Sequence, residues 1–195
     1  MDGLEEFRRV LKEYSSLALW AAGGSVIIPF VASFLSIIPP WPPRLDVITA
    51  VFQLLFLVFS YQNFKGSNKK RATRYINLCI FGCIFSIVTY ILLFSNFTIF
   101  IPEKDNYIVV GYRCTTEALE IKDYAGKCPF LERDELKAAS YVEHKLWTRG
   151  SISVVRTALI AIWFVFFSFL ATALGVFIVF QMGRLGRVPQ RPKPG

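Results

Sequence analysis

Long apolar segments alternate with short polar ones along the chain, and each apolar segment is long enough to cross a bilayer as a helix. In a helix about 20 residues span the roughly 30 Å of hydrocarbon in a membrane. Charged residues occur only near the ends of these segments. The pattern predicts an all-α membrane protein, a four-helix transmembrane bundle with spans at 16–38, 45–64, 75–100 and 157–181.

The first two spans are predicted to form a hairpin over 16–64. Four prolines and Trp41 separate them, because Pro39-Pro40-Trp41-Pro42-Pro43 cannot continue a helix. The preceding residues 1–15 have apolar positions at helical spacing, which predicts a cytoplasmic amphipathic lead-in. Such a helix could instead dock a partner.

The polar segment 65–74 sets the predicted orientation. It is rich in lysine and arginine and has no acidic residue, and short segments of this kind remain in the cytoplasm. Four spans then place both termini in the cytoplasm and 101–156 outside it, in a multi-pass protein of the cell (inner) membrane. The residues of this basic face are Lys65, Lys69, Lys70, Arg71 and Arg74, joined by Arg184 and Arg187 of a basic, disordered tail at 182–195.

Residues 101–156 are predicted to form a small extracytoplasmic α/β domain between the third and fourth helices. Thr98–Pro102 and Tyr107–Arg113 resemble the strands of a hairpin around the turn 103–106. Cys114 and Cys128 lie in the same oxidising compartment, so we expect a disulfide between them. From Phe130 the pattern becomes helical and is predicted to continue through Gly150-Ser151 into the last span.

Small and polar residues follow stripes along the predicted spans. In the first span they recur at steps of three and four, which places them on one helix face. Such a face is either a close helix-packing seam or the lining of a pore. Across the four predicted spans, the candidate residues for such a pore or helix-packing face are Ser25, Pro29, Ala32, Ser36, Gln53, Ser86, Ser168 and Thr172.

The charge of the chain indicates which kinds of partner it can bind. The net charge is +8, and the segment 65–74 contributes +5 while the tail contributes +4. Because both segments are predicted on one side of the membrane, the anionic inner leaflet is the expected partner of this charge. A cytosolic protein is a second candidate partner, and we do not expect nucleic acid.

No arrangement of residues indicates catalysis. The chain has no glycine-rich phosphate loop and no nucleophile elbow. His144 is the only histidine, and no carboxylate pair lies within a predicted span. We therefore expect no enzyme activity, no cofactor and no metal site.

Four short motifs carry a resemblance to a known class of proteins. They are Pro-Pro-Trp-Pro at 39–42, Arg-Cys-Thr-Thr-Glu-Ala-Leu at 113–119, Lys-Cys-Pro-Phe-Leu at 127–131 and Lys-Leu-Trp-Thr-Arg at 145–149. Together they resemble small bacterial four-span proteins of anti-phage defence systems, such as the membrane component of the Kiwa type. In outline, the disulfide-bearing loop between the third and fourth spans also resembles that of a tetraspanin.

The resemblance implies an oligomeric membrane component that works beside a cytosolic sensor or effector. Two hypotheses follow. In the first, a homo-oligomer forms a channel or pore that permeabilises the inner membrane. In the second, the protein is a non-conducting sensor or scaffold, whose outer domain perceives infection and whose basic cytoplasmic face recruits a soluble partner.

Overall fold

The structure is a computed structural model that describes Gly24, 27–64, 69–104 and 106–185. This part of the chain is mostly helical, with one two-stranded sheet and one disulfide. Three helices in it are long and apolar enough to span a membrane, over Leu45–Phe64, Lys70–Phe97 and Arg149–Val179. Their length and composition are consistent with a membrane protein, which confirms the coarser part of the fold prediction.

The elements follow one another in a simple order. A helical stretch over 27–34, here called α1, precedes the long helix α2 (Leu45–Phe64). The remaining elements are α3 (Lys69–Phe97), β1 (Thr98–Ile101), a 3-10 turn (Pro102–Lys104), β2 (Asn106–Val109), α4 (Thr116–Glu120), α5 (Lys122–Ala125), α6 (Arg133–Ala138), α7 (Glu143–Leu146) and α8 (Arg149–Leu185).

Ten residues at the start of the first predicted span, 16–23, Ser25 and Val26, lie outside the described residues, as do the lead-in 1–15 and the tail beyond residue 185. The fourth span therefore stays a prediction. The described part of this segment is helical over 27–34, and Ser36 follows with a positive φ of 55°. The proline run comes next, and α2 begins at Leu45 with Asp46 in its first turn, where a carboxylate suits the helix dipole.

The long helix α3 differs from the prediction at both ends. It begins at Lys69, so the second half of the predicted basic loop is helical. Lysine, arginine and alanine are good helix formers, and the segment 69–74 contains little else. At the other end α3 stops at Phe97, because Thr98–Ile101 forms a strand with a partner available in β2.

The hairpin is confirmed, with a shifted turn. The strands β1 and β2 are antiparallel, with Thr98 opposite Val109 and Ile101 opposite Asn106. The connection therefore begins with the 3-10 turn Pro102–Lys104, one residue earlier than predicted, and the second strand is shorter than predicted. Beyond it, Gly111 packs so closely on α8 that a Cβ there would lie 2.1 Å from Ser151 Oγ. A side chain at this position is sterically excluded, which explains the glycine.

The predicted disulfide between Cys114 and Cys128 is present, with Cα atoms 6.3 Å apart. Around it lies an apolar core in which Trp147 is completely buried. The indole Nε1 of Trp147 donates to the Pro129 carbonyl at 3.0 Å, next to Cys128. The other members of this core are Ile101, Val110, Ala118, Leu131, Leu136, Leu146 and Ile152.

The continuous helix predicted from Phe130 is wrong in its first part. The stretch 130–147 contains two short helices, α6 and α7, separated by Ser140 and Tyr141. Both residues have positive φ, 60° and 58°, which ends a right-handed helix. The predicted passage through Gly150-Ser151 is correct, because α8 runs unbroken from Arg149 over 37 residues.

The chain divides into two compact units. One contains α2 from Asp46, the first half of α3 as far as Cys83, and α8 from Phe167 onward. The other contains 37–45 and 84–166, and thus the hairpin, the disulfide and the small helices.

Candidate functional site

Polar side chains follow one face of α2, in the first unit. Thr49 and Gln53 have no exposed surface, and Ser60 is 2% exposed. Steps of four and seven residues place all three on the same side of a helix with 3.6 residues per turn. The opposite side of α2 is apolar and exposed, with Leu55 and Phe59 more than half accessible. We call Thr49, Gln53 and Ser60, with Ser168 and Thr172 of α8, the polar seam.

Gln53 is the most unusual member of the polar seam. Neither Oε1 nor Nε2 of its amide finds a hydrogen-bond partner in the described part of the chain. An amide that leaves water without a new partner costs about 1–3 kcal/mol. Gln53 therefore destabilises the packing in which it is buried, unlike its apolar neighbours on α2.

Ser60 joins α2 to α8 within the same unit. Its Oγ lies 3.4 Å from Thr172 Oγ1, a long hydrogen bond. The Thr172 hydroxyl donates to the carbonyl of Ser168 at 2.7 Å, one turn earlier in α8. Thr172, one of the two polar residues predicted on the last span, thus contacts a residue of α2 that the prediction did not include.

Gly82 forms a second close contact in this unit. A Cβ on Gly82 would lie 2.8 Å from ring atoms of Phe169, closer than side chains tolerate. Small residues let helices approach closely in lipid, and this glycine has that role between α3 and α8.

The other predicted pore-face residues have different environments. Pro29 is fully buried and Ala32 is partly buried in α1. Ser36 is exposed and lies beyond the end of the helical stretch, so it does not share the face of Pro29 and Ala32. Ser86 is 3% exposed, in the second unit.

Thr49, Ser60 and Gly82 were not among the residues predicted from the sequence. Thr49 and Ser60 could have been found from their spacing with Gln53, because the same rule of three- and four-residue steps identified the stripe of the first span. Gly82 gave no such signal, since its importance depends on the position of Phe169 in another helix.

The predicted basic face begins α3. The side chains of Lys70, Arg71 and Arg74 are exposed, and the guanidinium of Arg71 lies 5.8 Å from the ring centre of Tyr75. Lys69 and Arg184 are described by their helical backbone alone, and Lys65 and Arg187 lie outside the described residues. The exposed cations at the start of an apolar helix can contact anionic headgroups or an acidic protein surface.

An ion pair in the second unit joins Lys127 to the start of α6. Lys127 Nζ lies 2.6 Å from Glu135 Oε1, while Glu135 Oε2 accepts the Glu132 N–H at 3.0 Å. The second contact completes a capping box at the start of α6. The hydrogen bond from Lys127 lowers the pKa of Glu135, and the same bond raises the pKa of Lys127.

A second carboxylate near this pair is also hydrogen-bonded. The neighbouring Tyr141 side chain lowers the pKa of Glu103, in the turn of the hairpin, and Glu103 raises the pKa of Tyr141. Arg133 Nη2 lies 3.4 Å from the same carboxylate. The contact from Arg133 ties the hairpin to the start of α6.

Within the described ranges, no three His, Cys, Asp or Glu side chains come together as a metal site. The polar seam presents hydroxyl and amide groups, which can bind water or form hydrogen bonds between helices. Comparisons of this chain with protein-family models, with curated proteins and with solved structures find no match.

Proposed function

We propose that this chain is an oligomeric, multi-pass protein of the inner membrane that forms a gated channel or pore. The observation that carries the proposal is Gln53, a fully buried amide with no hydrogen-bond partner among the described residues. The polar seam around it is the water path, and the packed arrangement of the helices is the closed state.

The physical argument is a difference in hydration. A dry seam leaves the Gln53 amide unpaired, whereas a seam that contains water satisfies both of its ends. The unpaired amide therefore destabilises the closed state by about 1–3 kcal/mol relative to the open state, which lowers the free energy of opening. An apolar residue at position 53 would remove this bias and favour the closed state.

The residues also limit the kind of conduction. The polar seam contains hydroxyl and amide groups and no charged ring, so a pore along it would select weakly among ions. Apolar residues beside the seam would gate it by dewetting. The four-span topology, cytoplasmic termini and homo-oligomer belong to this proposal, and a role in permeabilising the membrane during anti-phage defence rests on the sequence resemblance.

The test is leakage from liposomes that contain the purified full chain. We expect wild type to release a small dye or potassium under applied potential or osmotic stress, and Gln53→Leu to reduce the rate about tenfold. Val58→Leu is the matched control, because Val58 is exposed on the same helix and its variant should behave as wild type. An absence of leakage under every trigger, including added cytosol, would contradict the proposal.

A non-conducting sensor or scaffold is a second candidate function. It is favoured by the exposed cations Lys70, Arg71 and Arg74 at the start of α3, and by the disulfide-closed core of the second unit. Charge reversal at Lys70 and Arg71 should then abolish recovery of a cytosolic partner. Charge reversal at Lys122, which is exposed in α5, is the control that should leave recovery unchanged.

A further inference from the structure

A cleft of about 350 Å³ lies in the second unit, where α8 begins. Three of its residues, Arg149, Ser153 and Arg156, follow one face of the first two turns of α8. The short helix α7 contributes Glu143 and His144, and the proline run contributes Trp41. The cleft therefore collects residues from three separate parts of the sequence, which the fold brings together.

The charges in the cleft do not balance. Arg156 Nη2 lies 2.9 Å from Glu143 Oε1, and both side chains are partly buried, at 31% and 26% exposure. Arg149 forms no ion pair within the described ranges, so its positive charge is uncompensated. In addition, Arg156 Nε is buried and lacks a hydrogen-bond partner in the same part of the chain. Arg149 thus keeps its donors for a ligand, and the partly exposed Arg156 guanidinium lines the same cleft.

This combination fits a phosphate group. Arginine presents several N–H donors in a planar fork that matches phosphate oxygens. The N-terminus of a 37-residue helix adds the positive end of its dipole to the same region. A carboxylate ligand would meet the same donors, but one partner, Glu143, already neutralises Arg156 in that way.

The surroundings point to a lipid as the source of the phosphate. Arg149 begins the helix that is long and apolar enough to span a membrane, so the cleft lies at the end of a candidate span, on the side where headgroups are found. Trp41 in the same cleft is half-exposed, and tryptophan prefers this interface. Ile152 provides an apolar wall.

We propose that this cleft binds the phosphate of an anionic phospholipid headgroup. On the predicted orientation the lipid belongs to the outer leaflet. The site does not depend on whether the polar seam conducts, because Gln53 and the cleft belong to different units of the chain.

The experiment measures lipid retained by the purified full chain. Mixed micelles contain phosphatidylglycerol or phosphatidylcholine, and native mass spectrometry counts the lipids that remain bound. Wild type should retain one phosphatidylglycerol that both variants bind about tenfold more weakly. Arg149→Gln removes one charge-assisted hydrogen bond, and Ser153→Asp adds a carboxylate that repels the phosphate. Ser153→Asp places a carboxylate in the cleft at an exposed position, where folding should be unaffected.

Lys145→Gln is the matched control. Lys145 is exposed on α7 beside His144 but does not line the cleft, so its variant should retain the lipid as wild type does. Wild type and all the variants have the same basic residues at the start of α3. Lipid bound there is therefore a common background, which cancels when retention is compared between variants. Equal retention by wild type and both cleft variants would overturn the proposal.

Soluble sn-glycerol 3-phosphate distinguishes the source of the phosphate. For a lipid site, millimolar glycerol phosphate should fail to displace the retained phosphatidylglycerol or to raise the melting temperature. Full displacement, together with a rise in the melting temperature that Arg149→Gln abolishes, would overturn the lipid as the natural ligand.

Discussion

Ser60 Oγ lies 3.4 Å from Thr172 Oγ1, which gives α2 and α8 a polar contact inside an apolar environment. Thr172 also donates to the Ser168 carbonyl at 2.7 Å, so its hydroxyl is satisfied without Ser60. The contact between the helices therefore adds little to the stability of their packing.

We expect a small coupling between Ser60 and Thr172. Hydrogen bonds between membrane helices average about 0.6 kcal/mol in double-mutant cycles, and this one is long. The cycle compares Ser60→Ala, Thr172→Val and their combination, with the free energy of unfolding measured in detergent. A coupling above about 2 kcal/mol would show that the two hydroxyls form a much stronger interaction than their distance indicates.

Gly82→Ala should destabilise the first unit by about 1–3 kcal/mol, because its Cβ would lie 2.8 Å from the ring of Phe169. Thermal unfolding of the full chain measures the effect, and combining it with Phe169→Leu should recover part of the loss. Gly150→Ala is the control, since nothing lies within 4 Å of a Cβ at that helical position. That variant should be neutral or more stable by up to about 1 kcal/mol. Equal effects at both glycines would contradict close packing at Gly82.

These two contacts show what the sequence could predict. The apolar lengths of α2, α3 and α8 are visible directly, because lipid demands about 20 apolar residues from any helix that crosses it. Ser168 and Thr172 were identified from their step of four. Their partner Ser60 and the contact of Gly82 depend on which helix lies opposite, and periodicity along one helix contains no information on its neighbour.

Loss of the disulfide should loosen the second unit. Cys114 and Cys128 are 14 positions apart, and closing a loop of that size contributes about 3 kcal/mol in the chain-entropy model. The double variant Cys114→Ser with Cys128→Ser should unfold at lower temperature, as followed by tryptophan fluorescence, to which buried Trp147 contributes. A reductant should lower the melting temperature of wild type to the same extent and leave the double variant unchanged. A wild type that is insensitive to reductant would contradict this account.

The contact between Lys127 and Glu135 predicts a dependence of stability on pH. Since the folded pKa of Glu135 is lowered, its contribution is present above the unfolded value, near 4.3, and is lost as pH falls through the lower folded value. Because the pKa of Lys127 is raised, its contribution persists up to the alkaline range and is lost as pH rises through the higher folded value.

Glu135→Gln should therefore lower the melting temperature at neutral pH, and the difference from wild type should vanish in strong acid. Asp134→Asn is the control on the same helix, at an exposed position, and should follow the wild-type profile. A difference that persists unchanged at pH 2 would show that the carboxylate charge is not responsible.

Two features of the second unit, the disulfide and the hairpin, were predicted from the sequence, whereas the break between α6 and α7 was not. The cysteine pair and the alternating strand residues of the hairpin leave local signals, and both predictions are confirmed. The break between α6 and α7 was missed because Ser140 and Tyr141 adopt positive φ without a glycine, which the apolar spacing of 130–147 does not reveal.

Conductance in a planar bilayer, recorded for Gln53→Leu and Gln53→Glu beside wild type, tests the central claim most directly. If the buried, unpaired amide biases the polar seam toward a hydrated state, Gln53→Leu should close it and lower the open probability about tenfold. Gln53→Glu should raise the open probability and favour cations, because a carboxylate requires water even more strongly. Identical currents from all three proteins, or no current from any of them, would contradict a water path at Gln53.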